Sequence, residues 1–528
     1  MTIQVLSGCL DGVTGAPVGV EVDVLSMLPS FQIVGLPTSS VREARERVRS
    51  AIDASELPYP RRRITVNLAP ADRPKHGTGL DLPIALGVIA AGVVAEGNDA
   101  WDVAPAALGE LGLDGSVRPV RGALPILEAV ARMGARRAIV PRANAAEAGL
   151  VPGLEVLPVD HLAEAWAAAS GREEGRATPD GPVARAFDPA ETGPRAAPEP
   201  DLADVRGLPE GRRALEVAGA GGHGLLLEGP PGSGKSMLAR RLAGLLPDLD
   251  DGAALEATRI RSAAGLLAAG VGLARRPPLR APHHSASPAA IVGGGRPLSA
   301  GEVTLAHRGV LMLDEAPEFS RGLLESLRQP LEDRFVTVAR AESVLRFPAD
   351  FLLVATRNPC PCGLLGADAG PRCRCPDSAL ERYGRRLSGP ILDRIDLRAW
   401  IPPTPAELLL DPTPGEATAV VRRRVGAARE LAGRRAGSLG IDAPAGRATN
   451  ARLPAQALLD GFDPGALSAL REGYGRTRGS ARSVQQLVRV ARTVADLAAR
   501  PRVSREDVDE ALLLCIGRRF DALCPAVA

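Results

Sequence analysis

The chain has 528 residues, room for three or four domains at roughly 100 to 200 residues each. Its 64 Lys and Arg nearly balance 62 Asp and Glu, so the formal net charge is +2, and contact with nucleic acid has to come from local patches and not from a global field. Aromatics are 3% of residues and hydrophobic residues 45%, which leaves a sizeable core built from small aliphatic side chains.

The first residues, Met1 to Leu6, carry no basic segment followed by an apolar stretch. Val18 to Val24 alternates as a strand does, Ser40 to Ala54 has a charged helical face, and Ile64 to Leu68 is predicted as another strand. These place an α/β domain over residues 1–169. The longest apolar run, Leu82 to Ala95, is shorter than the ~20 residues that span a bilayer, so a soluble, cytoplasmic protein with no membrane partner is expected. Residues 170–200, rich in Pro, Gly, Ala and charge, are predicted to be a flexible linker.

Strands and helices then alternate through residues 201–404, as a parallel sheet with flanking helices requires. Leu225 to Leu227 form a strand, and Met237 to Leu246 a helix. Between them lies GPPGSGKS, residues 229–236. Gly229, Gly232 and Gly234 let the backbone wrap a phosphate, with Pro230, Pro231 and Ser233 completing the loop and Met237 starting the helix whose positive end adds to the pull. Lys235 is expected on the β- and γ-phosphates and Ser236 on Mg²⁺. A second apolar strand, Val310 to Leu313, ends in Asp314 and Glu315. Asp314 would hold the shell of the same Mg²⁺, and Glu315 would polarise the attacking water of an ATP hydrolase.

The strand Phe351 to Ala355 leads to Asn358, whose amide suits the water between Glu315 and the γ-phosphate. Arg394, in GPILDRIDL, lies far along the chain from its own phosphate loop and is expected to reach the nucleotide of a neighbouring subunit, which implies a ring. Arg482, opening a helix in GSARSVQQL, is expected on the γ-phosphate of its own subunit. From residue 405 to 528 the chain turns helical, with Thr418 to Gly433 and Val484 to Ala499 the most periodic segments; this is a predicted lid. Its arginines Arg422, Arg423, Arg424, Arg434 and Arg435 suit a solvated face.

Four of the seven cysteines, Cys360, Cys362, Cys373 and Cys375, crowd into one segment. They suit either a Zn²⁺ site or a loop of reduced thiols, while Cys9, Cys515 and Cys524 are isolated. Adjacent His283 and His284 have no further ligand spacing, and their side chains are expected to diverge. Phe335 to Phe347 is predicted to be a hairpin with Arg340 near its tip, a position suited to a phosphate contact or to a solvated end.

The segments VNLAPADRPKHGTGLDLPIAL, GELGLDGSVRPVRGALP, LRAPHHSASPAAIVGGG, GEVTLAHRGVLMLDEAPEF, NPCPCG and LSGPILDRIDL resemble the magnesium-chelatase-like AAA+ ATPases of the YifB/ComM family. The resemblance implies an α/β multidomain chain: a Lon-protease-like (ribosomal S5 domain 2-like) N-terminal domain, an AAA+ P-loop core with a parallel sheet, and a C-terminal helical lid. It also implies a hexameric homo-oligomer acting on single-stranded or branched DNA as a branch-migration helicase in natural transformation. A Lon-type Ser–Lys dyad is absent, because Gly79 and Leu124 stand at its two positions and nothing pairs the nearby hydroxyls of Thr78 and Ser116 with a base. DNA as substrate comes from the resemblance alone. A chelatase motor or a protein-remodelling ATPase would use the same phosphate chemistry, and these readings stay open. Two positions depart from the family, Leu208 where glutamine is usual and Arg357 where methionine is usual; the latter puts a charge beside Asn358.

Overall fold

The computed structural model describes residues 2–101, 104–171, 200–268, 270–295, 298–340, 343–366, 373–387, 389–410, 413–441, 448–474 and 481–516. Residues 172–199 of the expected linker, Cys524, and the hairpin turn with the side chain of Arg340 lie outside the described residues. Two compact units emerge. The first joins the N-terminal region to residues 255–274 and 295–300, and the second holds the rest.

In the first unit, β1 (Ile3–Asp11) and β2 (Thr14–Leu25) form a hairpin whose turn is opened by Gly12 at φ 67°. β3 (Ser30–Val34), β4 (Arg63–Ala69), β5 (Ala106–Ala107), β6 (Arg137–Pro141) and β7 (Glu155–Val159) complete a mixed sheet in the order β3-β4-β2-β1-β5-β6-β7. Strict alternation along β4 buries Ile64, Val66 and Leu68 on one face. The run from Leu82 is helix α1 (Asp81–Ala95), apolar all round and buried against this sheet, and so a core helix. The segment from Leu255, which follows the phosphate loop in sequence, makes polar contacts within this unit. Arg259 holds Glu128 at 2.7 Å, and the Ser262 hydroxyl donates to Glu147, which is buried and held above the usual carboxylate range by that burial.

The second unit is built on five parallel strands: β8 (Leu225–Glu228), β9 (Leu279–Arg280), β10 (Val310–Leu313), β11 (Leu352–Arg357) and β12 (Leu397–Trp400), ordered β9-β10-β11-β8-β12. Both faces are covered, so the central strands β8, β10 and β11 are mainly apolar. Leu225 and Leu227 enter one core and Leu226 the other. The C-terminal helices α2 (Thr418–Ser438) and α3 (Ala481–Leu497) share the first of these cores with the sheet, through Val421, Val425, Val490 and Val494. The predicted hairpin forms as Phe335–Arg340 against Ser343–Pro348.

Candidate active site

The strand order decides what meets at the carboxyl edge of the sheet. Because β11 is inserted between β8 and β10, its last residues lie between the phosphate loop after β8 and the acidic pair after β10. Gly232 and Gly234 adopt φ of 75° and 87°, the left-handed conformation that turns the loop into its helix, Lys235–Leu245. A side chain at Gly229 would meet the Ile401 carbonyl at 2.1 Å, so the loop backbone lies flush against the end of β12.

Lys235 is buried and donates to the carbonyls of Gly229 and Pro230 at 2.9 and 2.7 Å. Burial holds its ammonium below the usual lysine range, opposed by the carboxylates of Asp314 and Glu315. The Ser236 hydroxyl donates to Asp314 Oδ1 at 2.6 Å. These two hard oxygen donors are a fitting pair for Mg²⁺, which takes few protein ligands and keeps several waters.

Thr356 was not singled out in the sequence, yet it organises the pair. Its hydroxyl donates to Asp314 Oδ1 at 2.7 Å and accepts the Glu315 backbone N–H at 2.9 Å. That bond fixes Glu315 at φ 53°, ψ 50°, a conformation costing a non-glycine residue ~1–3 kcal/mol. The signal that could have found it is its place at the end of a strand, two residues before Asn358. Asn358 is half-buried at the exit of β11.

Arg394 and Arg482 belong to a different place. The Arg394 carbonyl lies against Gly224, at the start of β8, whereas the phosphate loop follows the end of β8. The intervening residues span about 16 Å. The Arg394 guanidinium pairs with Glu332. Arg482 is exposed in the first turn of α3, and four residues on, on the same helical face, the Gln486 amide donates to the Asp393 carbonyl at 2.7 Å. Arg482, expected at its own subunit's γ-phosphate, is thus set near the Arg394 segment.

Other expectations change with the contacts in view. The charge of Arg357 is matched by Glu228, its register partner on β8, and both side chains are buried. Leu208 is buried and reaches to within 3.4 Å of where a side chain at Gly234 would begin. His283 and His284 do not diverge: their rings lie 4.1 Å apart and the His283 Nδ1 is 2.7 Å from the Ser285 hydroxyl oxygen. The arginine run is only in part a solvated face. Arg422 donates to the Gly244 carbonyl, Arg424 pairs with Glu216 and Glu416, and Arg435 with Asp496, leaving Arg423 and Arg434 exposed. In the first unit, Gly79 packs near Leu108 and Leu124 is fully buried, so neither place offers a nucleophile or base. The Thr78 hydroxyl is paired with Glu110, a carboxylate partner that the sequence did not suggest.

The Cys360, Cys362, Cys373 and Cys375 sulfurs lie within 4.8 Å of one another. The exposed Cys362 is lowered to about 6, chiefly by the backbone N–H of Leu364, and burial pushes Cys373 up to about 12.

Residues 201–409 match the family described as magnesium chelatase, subunit ChlI. Residues 20–144 match subunit ChlI of Mg-chelatase, and residues 415–514 its C-terminal part. The sequence is 42% identical to an uncharacterized protein of Mycobacterium tuberculosis over 517 residues, 96% of this chain and 97% of that one. It is 41% identical to YifB of Escherichia coli over 507 residues, 95% and 94% of the two chains. Competence protein ComM of Haemophilus influenzae is 38% identical over 508 residues, 95% of each chain.

Proposed function

From the premise that the chain belongs to the magnesium-chelatase-like family that includes YifB and ComM, we propose that it is a cytoplasmic AAA+ motor whose ATP hydrolysis drives a ring, a hexamer, along single-stranded or branched DNA. The family supports an ATPase using ATP and Mg²⁺. The observation carrying the reading is the contact chain Ser236, Asp314, Thr356, Glu315 beside a buried Lys235. The amides of the phosphate loop would bind the β- and γ-phosphates, and Lys235 would exchange the two carbonyls it holds for phosphate oxygens. Ser236 and Asp314 would hold Mg²⁺, which when bound neutralises charge on the transferring group. Glu315 accepts a hydrogen bond from the attacking water, aligned by Asn358. Thr356 positions both acids.

Arg394 and Arg482, on the same side of the molecule and away from their own loop, are assigned to the γ-phosphate of the neighbouring subunit. Each nucleotide is then complete only within the ring. The N-terminal unit is read as a Lon-like scaffold without peptidase activity, since Gly79 and Leu124 replace the dyad.

A DNA substrate is supported by the relative named as a competence protein, and recombination during natural transformation would be its setting. A protein partner is the second reading, favoured by the internal engagement of Arg422, Arg424 and Arg435. Steady-state ATP hydrolysis, with and without single-stranded and branched DNA over a salt series, separates the two. DNA stimulation that fades as salt rises is expected, because phosphate contacts release counterions. Turnover indifferent to every DNA would overturn the DNA reading in favour of a protein partner.

A further inference from the structure

The four-cysteine cluster has dimensions that select among its chemical states. Cys360 lies 3.4 Å from Cys362, and Cys373 lies 3.6 Å from both. A disulfide would bring two sulfurs to about 2.05 Å. A tetrahedral zinc with bonds of about 2.3 Å sets its sulfurs about 3.8 Å apart, so the observed cage needs only a small adjustment to close on the ion. Backbone N–H groups of Leu365 and Cys375 donate to the sulfurs of Cys360 and Cys373, each at 3.4 Å. Such outer donors stabilise thiolate charge and orient metal-bound ligands. The chemistry of four thiolates selects a soft cation and excludes Mg²⁺ or Ca²⁺.

The cluster also touches the machinery. Gly363, directly after Cys362, has φ 79°, and a side chain there would approach the Pro231 ring to 2.4 Å. The cage backbone is therefore flush with the phosphate loop. On its other side, Asn358 precedes Cys360 by two residues. One metal would clamp the segment joining the expected water-binding amide to the contact with Pro231.

We propose that Cys360, Cys362, Cys373 and Cys375 bind one Zn²⁺, and that its occupancy holds the phosphate loop in its ATP-binding shape through the Gly363–Pro231 contact. The metal site stands by itself; its effect on nucleotide binding rests on the assignment of residues 229–236 as the ATP site. With the ion absent, residues 359–366 lose their common anchor and Pro231 its backing. The loop then binds ATP more weakly, while the strands and the acidic pair stay as they are.

The test begins with metal analysis of the full chain purified without chelators, where about one zinc per chain is expected. Displacing it with a thiol-binding mercurial, removing the mercurial with excess thiol, and adding Co²⁺ should give the visible bands and thiolate charge-transfer absorption of a tetrahedral sulfur site. Neither readout uses turnover, so an inactive ATPase would leave the metal question decidable. Bound iron, or the lack of both zinc and a cobalt spectrum, overturns the site. Zinc removal is expected to raise KM for ATP about tenfold, as loss of loop positioning does, and zinc addition to restore it. Gly363→Ala should keep the zinc and cobalt signatures and raise KM as well. An unchanged KM both in the metal-free protein and in Gly363→Ala overturns the coupling while leaving the metal site in place.

Discussion

Arg357 and Glu228 sit at facing register positions of adjacent parallel strands, with side chains 5% and 6% exposed. Removing one partner of such a pair strands a charge in the core, whereas replacing both by apolar groups of similar volume is close to neutral. Arg357→Met is therefore expected to lower unfolding stability by about 3 to 5 kcal/mol, and Arg357→Met with Glu228→Leu to recover most of it. A double-mutant cycle by urea denaturation measures this, and additive losses would show that the two charges act separately. The sequence made the arginine visible as an oddity beside Asn358. Its partner stands 129 positions away, and only the pairing of β8 with β11 identifies it. Thr356 was hidden for the same reason. A threonine in an apolar strand looks like any β-branched residue until the strand order sets it between Asp314 and Glu315.

The segments that carry the chemistry were the most legible elements, because each has a local cause: glycines that turn a loop, an apolar strand ending in acid, a helix of unbroken periodicity. Tertiary contacts, which are not local, were not legible. Residues 255–274 join the first unit through Arg259 and Ser262, and Arg422, Arg424 and Arg435 of α2 are engaged by carbonyls and carboxylates of their own unit. The same logic makes Asp350 a junction of elements. Arg308 lies 2.5 Å and Arg334 3.6 Å from its carboxylate, and Arg452, from the C-terminal region, pairs with it too. Burial pushes the Asp350 carboxyl up, but the guanidinium groups of Arg452, Arg308 and Arg334 outweigh it and hold the group below the usual carboxylate range. A depressed carboxyl stabilises the folded state above its unfolded pKa of about 3.9 and loses that contribution as pH falls through the lower folded value. Asp350→Asn should therefore cost about 3 kcal/mol at pH 7. The gap to wild type should narrow only below about pH 4. Denaturation midpoints of both proteins across pH 3 to 7 check this, and a gap that closed near pH 6 would move the linkage to another group.

In the proposed motor, the residues assigned to catalysis fall into two groups that a single chain keeps apart. The loop, Asp314, Glu315 and Asn358 lie at the carboxyl edge of the sheet, while Arg394 is fixed by Gly224 at the opposite end of β8, with Arg482 near by. If a ring joins the two groups from successive subunits, two variants that are each inactive can repair one another. Lys235→Ala loses its own nucleotide but still offers Arg394, whereas Arg394→Ala keeps its loop but offers no arginine. Arg394→Ala alone should bind ATP within about threefold of wild type and lose 10³-fold or more in kcat, the range an arginine supplied in trans contributes. In an equimolar mixture that exchanges subunits freely, an Arg394→Ala subunit has a Lys235→Ala neighbour at its nucleotide about half the time, so up to about a quarter of all sites are whole. ATPase activity should then rise from near zero toward about a quarter of wild type. The Glu332 pair held by Arg394 in the single chain would have to open as the neighbour docks, so Glu332→Ala should leave this repair intact. A mixture as inactive as its components, although subunit exchange is demonstrated with labelled chains, would place Arg394 back at its own nucleotide or outside catalysis altogether.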